Sequence, residues 1–564
     1  MFTTFSLRVV KMGIKAIWAR TKLGSYGSAF REAPREILFN KMLLLTCLLF
    51  ACGAVPLTWD QGSSAVIATL PSFQKHFNIS SGTDASKIQY YVSLVGLGDC
   101  IGAAGSFWLN DRLGRLWSYR LYIGIWMLGN ILQIAAPNVA ALYAARIICG
   151  TGIGGLIVIG PIALVEIAPA EIRGILTSWF TVMMGLAHGV STFCVYGVYL
   201  DKRLHGTRMQ YQVVWIAPIV FMGLCIVASF FLCESPRWLF LMDRQEEATE
   251  ILVRIRGLPL DHPRVQHELQ EIKEHIHQER VFYAGGKKTA SFRSILKETF
   301  TVPANLRRVQ QCLILYSLPQ LSGASSISSY LIPILKIVGV AKGTERNLFL
   351  SAMYTMSKFF FALIASFLFV DALGRRKSLF VGCTCQMLAD LYVGIYVKYS
   401  QEGPVSTAAS QGAIAAIFIQ AFGYSVGLLT LPFVISGELW PNRIRSFGNA
   451  LAQFIHRLFI YVIAFAMPSL LKNTDNWGSF IFFAGWCGIA LLYVYLVVPE
   501  IAGLSVEEMD VVFTGPWLAA RHYRKPKAPR EVEDSEGDQS VSRSSSGKPT
   551  QEQSEVVSTT VKQV

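Results

Sequence analysis

Two ionisable side chains stand where water is scarce. Asp60 falls within the apolar run 41–66 and Arg146 within the run 139–166, and an acid at the centre of a bilayer costs about 2.5–3.5 kcal/mol on insertion scales. Such an acid needs a cationic partner or a proton. At about 1.5 Å per helical residue, Asp60 lies roughly 15 Å and Arg146 roughly 10 Å from the same face, so the two can meet. Low dielectric favours the neutral carboxyl, whereas a nearby guanidinium favours the charged one. The pair therefore reads either as a proton switch, if its separation changes, or as a static ion pair. Lys358 and Arg457 reach mid-membrane as well, each about 17 Å from its entry face, with His456 beside Arg457. They could neutralise a substrate carboxylate, or satisfy backbone carbonyls and acids of the chain itself.

Charged cassettes at the ends of apolar runs occur twice. Asp111 and Arg115 are repeated as Asp371 and Arg375, with Arg376 following, and the spacing is four residues both times. Glu166 and Arg173 are repeated as Glu438 and Arg445, seven apart both times. Gly114 and Gly374 permit tight turns that bring these charges to helix ends, where they complement the helix dipoles. Paired across loops, the groups would form a cytoplasmic latch that biases one conformation over another. Two copies in the same order mean that one half-chain unit was used twice, which is a transporter architecture.

The elements that must position these residues are membrane helices. Residues are 52% hydrophobic and only 16% charged, which a soluble core of this length cannot absorb. About twelve runs exceed the roughly 20 residues needed to cross about 30 Å of hydrocarbon. The expected spans are 41–66, 87–109, 117–135, 139–166, 174–198 and 212–233, then 308–338, 347–370, 378–398, 411–437, 446–471 and 477–499. The fold class is all-α membrane protein, with twelve spans in two six-helix pseudo-repeats. Expected domains are a basic cytosolic segment (1–40), a six-helix bundle (41–236), a cytosolic helical linker (237–301), a second bundle (302–510) and a disordered cytosolic tail (511–564). Basic residues before span 1 and in alternate short loops put both termini in the cytosol. The net charge of +14 is largely that topological signal, so nucleic acid is not an expected partner. Eleven scattered cysteines show no metal-ligand spacing and no redox motif. Asn78-Ile79-Ser80 is a glycosylation sequon in the first outer loop.

Over about 40–510 the chain resembles the sugar porter family of the major facilitator superfamily. The residues that carry this are Asp60-Gln61-Gly62, Arg146 to Gly152, Pro161 through Glu166 to Arg173-Gly174, and Glu234-Ser235-Pro236-Arg237-Trp238-Leu239. They continue as Gln320-Leu321-Ser322-Gly323, Asp371 to Arg376, Glu438 to Arg445, and Pro499-Glu500 with Gly503-Leu504-Ser505. Pro34-Arg35-Glu36, Pro71-Ser72-Phe73-Gln74, Gly257 to His262 and Lys358 make it look most like the fungal quinate permease branch.

The resemblance implies alternating-access transport of a sugar or sugar-like polyhydroxy compound, with Asp60 and Arg146 coupling it to protons. It adds Glu234, Arg237 and Glu500 to the latch. At the family's sugar-binding positions, Gln320 and Tyr330 match. Thr181, Pro319, Ser325, Phe359, Phe433 and His456 depart, so the ordinary hexose site is not intact. Lys358, His456 and Arg457 could supply positive charge instead, which would suit quinate or another hydroxylated cyclic acid among such compounds. Rival expectations are a nutrient sensor that does not transport, or a proton-independent facilitator of neutral hexoses or polyols. No catalytic constellation, metal site or cofactor is expected. The protein should work as a monomer in the lipid bilayer, in the plasma membrane, on a small solute and driven by the proton gradient.

Overall fold

A computed structural model describes residues 35–79, 85–169, 172–278, 292–338, 343–365, 375–429 and 444–499, together with 431–432, 435, 439–440 and 513. Within them every regular element is a helix. Span 1 runs over Glu36–Ile67, with a break between Lys41–Cys52 and Val55–Ile67. Spans 2 to 6 are Ala85–Leu113, Arg115–Ala135, Val139–Ile167, Arg173–Leu200 and Met209–Ser229. Span 7 starts at Pro303, span 8 is Thr344–Ile364, span 9 Arg375–Glu402 and span 10 Thr407–Tyr424, prolonged by a π turn over Ser425–Leu429. Spans 11 and 12 are Arg445–Asn473 and Trp477–Leu496. Ten described helices are long and apolar enough to cross a membrane, and the bent span 7 makes an eleventh. Span 3 takes its expected place, yet Arg120, Asn130 and Gln133 leave it too polar to stand among them.

Local chemistry sets these boundaries. The Asn40 side chain accepts hydrogen bonds from the backbone N–H of Met42 and Leu43 at 2.9 and 3.2 Å, capping the Lys41–Cys52 helix of span 1. Asn138 does the same for span 4 through the Ala141 N–H at 2.8 Å. Span 7 departs from the expected single helix over 308–338. It consists of Pro303–Leu321, Ala324–Ser329 and Leu331–Val338, with a bend of 79° before the last piece. Pro319 removes a backbone donor just before the first break, and Gly323 supplies a left-handed φ of +76°.

Glycines let spans 2 and 4 touch backbone to backbone. A Cβ at Gly98 or Gly102 would meet the carbonyl of Ile147 or Thr151 at 2.2 or 2.1 Å, and one at Gly150 or Gly154 would meet that of Val95 or Asp99 at 2.1 Å. Small residues at such crossings replace the hydrophobic drive that helices lack inside lipid. Large apolar side chains such as Leu224, Phe231, Leu388 and Leu492 point outward, as a lipid-facing surface requires.

The two halves meet chiefly along two helix pairs. Span 2 packs on span 11, with Tyr90 against Phe465 at 5.5 Å between ring centroids and Phe107 against Phe447 at 5.7 Å. Span 5 packs on span 8, where Gly185 and Gly189 receive Phe359 and Met356. Between the halves the chain forms short helices Pro236–Leu241, Gln245–Arg256, Pro263–Gln278 and Phe292–Thr301. Arg256 fastens this segment to the end of span 4, gripping Glu268 at 2.6 and 2.8 Å and donating to the Ile167 carbonyl at 2.9 Å.

Candidate transport site

A central cavity lies between the halves, lined by spans 1, 2, 4 and 5 on one side and by spans 7, 8, 10 and 11 on the other. Discontinuous and closely packed helices expose side chains to it that a solid core would exclude. Its charged lining is Asp60, Asp99, Lys358 and Arg457, with His188 and His456 beside them.

The Asp60–Arg146 pair anticipated from depth is formed. Arg146 reaches both carboxylate oxygens of Asp60, donating through Nη1 to Oδ1 and through Nη2 to Oδ2 at 3.0 Å. Its Nε donates to the Tyr91 carbonyl at 2.9 Å, and the guanidinium lies 4.8 Å from the centroid of the Tyr91 ring. Ser64 Oγ donates to Asp60 Oδ1 at 2.9 Å. Arg146 is wholly buried, while the Asp60 side chain keeps 14% exposure toward the cavity. The carboxylate is thus the member of the pair that water can reach.

Of the expected solute contacts, Thr181, Ser325, Lys358, His456 and Arg457 line the cavity. Lys358 Nζ donates to Ser328 Oγ at 3.0 Å and sits 4.7 Å over the Tyr424 ring. Gln320 stands behind the wall, its Nε2 at 3.0 Å from His456 Nε2. Tyr330 is not at the cavity; its hydroxyl donates to the Ala464 carbonyl at 3.1 Å and ties spans 7 and 11. Phe433 lies outside the described residues.

These features sit in a chain with clear relatives. A family model described as "Sugar (and other) transporter" matches residues 46–513. The chain belongs to that family. Among its relatives, the quinate permease of Emericella nidulans is 28% identical over 493 residues, covering 86% of this chain and 90% of that one. The low-affinity glucose transporter HXT1 of Saccharomyces cerevisiae is also 28% identical, over 84% and 83%. Among solved structures, the proton:xylose symporter XylE bound to 6-bromo-6-deoxy-D-glucose superposes with a TM-score of 0.68 at 21% identity, covering 84% of this chain and all of that one. The protein is therefore an integral multi-pass membrane transporter of the sugar porter family, quinate permease-like and not an enzyme, and it has the major facilitator fold.

The sugar porter cassette at the end of span 2 is built as a cluster. Gly114 turns the chain with φ +88°, and a Cβ there would strike Glu234 and the Trp238 ring. Arg115, at the start of span 3, donates through Nε and Nη2 to the two carboxylate oxygens of Glu166 at 2.9 and 2.7 Å, and through Nη1 to Asp111 at 3.3 Å. Glu234 accepts from the backbone N–H of Arg115 and Leu116 at 2.9 and 3.0 Å, so its carboxylate caps span 3. Burial pushes the Glu234 carboxyl up from its ordinary range, while those N–H groups work to lower it. Ser235 Oγ closes the cluster on Glu166 at 2.6 Å. All of these contacts lie within the first half.

Elsewhere, Arg173 Nε donates to the Ala168 carbonyl at 3.4 Å, and Arg237 opens the short helix Pro236–Leu241. In the second half, Arg376 donates to the carbonyls of Val494 and Tyr495 at 3.3 and 2.6 Å, tying spans 9 and 12, and Arg375 begins span 9. Asp371, Glu438 and Glu500 lie outside the described residues, as does the side chain of Arg445.

Asp99 and His188 are cavity residues that motif reasoning passes over. Asp99 sits in the apolar stretch Gly98-Asp99-Cys100-Ile101, so the rule that singles out Asp60 applies to it equally.

Proposed function

We propose that the protein moves a small polyhydroxylated carboxylate, of the quinate type, together with protons by alternating access between its halves. One observation carries this reading. Around the cavity, the cations Arg146, Lys358 and Arg457 outnumber the acids Asp60 and Asp99. Arg146 is consumed by Asp60, whereas among the described residues the contacts of Lys358 are a hydroxyl and an aromatic ring, both neutral. A buried ammonium without a carboxylate is costly, and a substrate carboxylate would relieve that cost through a charge-assisted hydrogen bond. Ser325, Ser328 and Thr181 nearby offer hydroxyls that both donate and accept, which suits a ring bearing several alcohols.

Proton coupling is supported by the access of Asp60 to the cavity and its dependence on a single buried guanidinium. A proton on Asp60 would release Arg146 from one partner, and loss of the proton would restore the pair. That makes proton occupancy and cavity electrostatics one equilibrium. Plasma-membrane residence and action as a monomer belong to the same reading.

The test is uptake competition in proteoliposomes, with labelled quinate as tracer and unlabelled quinate, glucose, xylose and a neutral polyol as competitors. Quinate should compete best. Stronger competition by the neutral compounds would make the protein a neutral-sugar carrier, and tight binding without uptake would make it a sensor.

A further inference from the structure

The Asp60–Arg146 pair has a property that bears on how proton binding is linked to motion. Asp60 belongs to span 1 and Arg146 to span 4, so both sit in the same half. Rigid rocking of one half against the other leaves their separation unchanged. An acid that reports the position of the halves must face a cation from the opposite half.

Asp99 and Arg457 meet that requirement. Asp99 lies midway along span 2 and Arg457 near the middle of span 11, the helices that pack together across the interface. They are 3% and 2% exposed, both line the cavity, and they interact electrostatically. No hydrogen bond joins them: Asp99 Oδ1 and Arg457 Nε each lack a hydrogen-bond partner. Asp99 is also fixed within its own half, because Gly150 and Gly154 of span 4 lie directly on its backbone. Its distance to Arg457 is therefore set by how the halves stand to each other.

The other titratable or charged groups around Asp99 are few. Asp60 of span 1 and Arg146 of span 4 act on it from its own half. Cys149 of span 4 and Cys100 of its own helix are the neighbouring thiols. His456 and Tyr461 join Arg457 on the span 11 side of the cavity.

We propose that Asp99 is a second proton-carrying acid of the transport cycle, ionised when the halves bring Arg457 near and protonated when they take it away. This rests on the proton-coupled transport reading above. Asp99 takes a proton from hydronium on the side where Arg457 has withdrawn, one O–H bond forming on the carboxyl as one breaks on the hydronium, which leaves as water. It returns that proton to water on the other side when Arg457 approaches. Protonation abolishes the attraction between spans 2 and 11 at mid-membrane, so acid loosens that contact and alkali tightens it. Asp60 then answers to events inside the cavity, and Asp99 to movement of the halves.

The test needs no solute, which separates its failure from failure of the substrate assignment. In full-length protein in nanodiscs, spin labels carried on non-natural residues replace Arg203 and Lys472, exposed positions on opposite halves. Inter-label distances are then recorded from acid to alkaline pH. Wild type should shift between two distance populations, Asp99→Asn should lose the shift and hold the acid population throughout, and Asp60→Asn should keep it. Asp99→Glu should restore the shift, and Arg457→Gln should lose it, which keeps the question decidable if Asp99→Asn fails to fold. Persistence of the shift in Asp99→Asn or Arg457→Gln, its loss in Asp60→Asn, or no shift in wild type would overturn the assignment.

Discussion

Arg146 holds both carboxylate oxygens of Asp60 from a neighbouring helix of the same half, and only the acid of the two reaches the cavity. The guanidinium is wholly buried, so the carboxylate is the member of the pair that the proposed proton coupling would use. Replacing Asp60 with Asn removes its carboxylate and keeps the side-chain shape. Proton-driven accumulation should disappear while solute exchange persists. Counterflow and gradient-driven uptake, measured in the same vesicles, distinguish the two.

Lys358 lines the cavity, bonded to Ser328 and stacked over Tyr424, both of them neutral. Lys358→Gln should raise the KM for quinate about ten- to one hundredfold, since a hydrogen bond to a charged group contributes about 1.5–3 kcal/mol. Inhibition by glucose should change far less. Equal losses for acid and sugar would point to a structural lysine.

The cluster around Arg115 makes a stability prediction. Its guanidinium is 5% exposed and donates to both oxygens of Glu166, which is 11% exposed. Glu166→Gln leaves that cation buried without its main counter-charge, a loss of about 3–5 kcal/mol for comparable buried pairs. Thermal unfolding in detergent should fall by several degrees, whereas Arg203→Gln, at an exposed position, should leave it nearly unchanged.

Much of this is legible in the sequence. A charge in a long apolar run has few possible partners, so Asp60 and Arg146 could be paired from depth alone. The duplicated cassettes marked the two halves because glycine, aspartate and arginine recur there at a fixed spacing. Glu234 capping span 3 was not readable, because it depends on which two loops fold together. The bend in span 7 was hidden as well, since a broken span is as apolar on one side of its break as on the other. Tyr330 matched a family binding position by type, yet its hydroxyl is spent on the Ala464 carbonyl. Asp99 carries no repeated motif, and its importance rests on Arg457 arriving from the opposite half.

Spans 2 and 4 approach through glycine, with room for nothing larger at Gly154, where a Cβ would lie 2.1 Å from the Asp99 carbonyl. Gly154→Leu should force the helices apart, at a cost beyond the roughly 1–3 kcal/mol of ordinary overpacking. Folded yield should drop several-fold. Gly124→Leu, where a Cβ meets nothing within 4 Å, should fold normally, and size-exclusion profiles of the two variants provide the comparison.

The most direct test of proton-coupled transport of a hydroxylated acid is labelled quinate uptake into proteoliposomes, with and without an imposed inward proton gradient. The account predicts that the gradient drives quinate above its equilibrium level inside and that Asp60→Asn reaches equilibrium only. Uptake of quinate that ignores the gradient, or a gradient that concentrates glucose and leaves quinate outside, would contradict it.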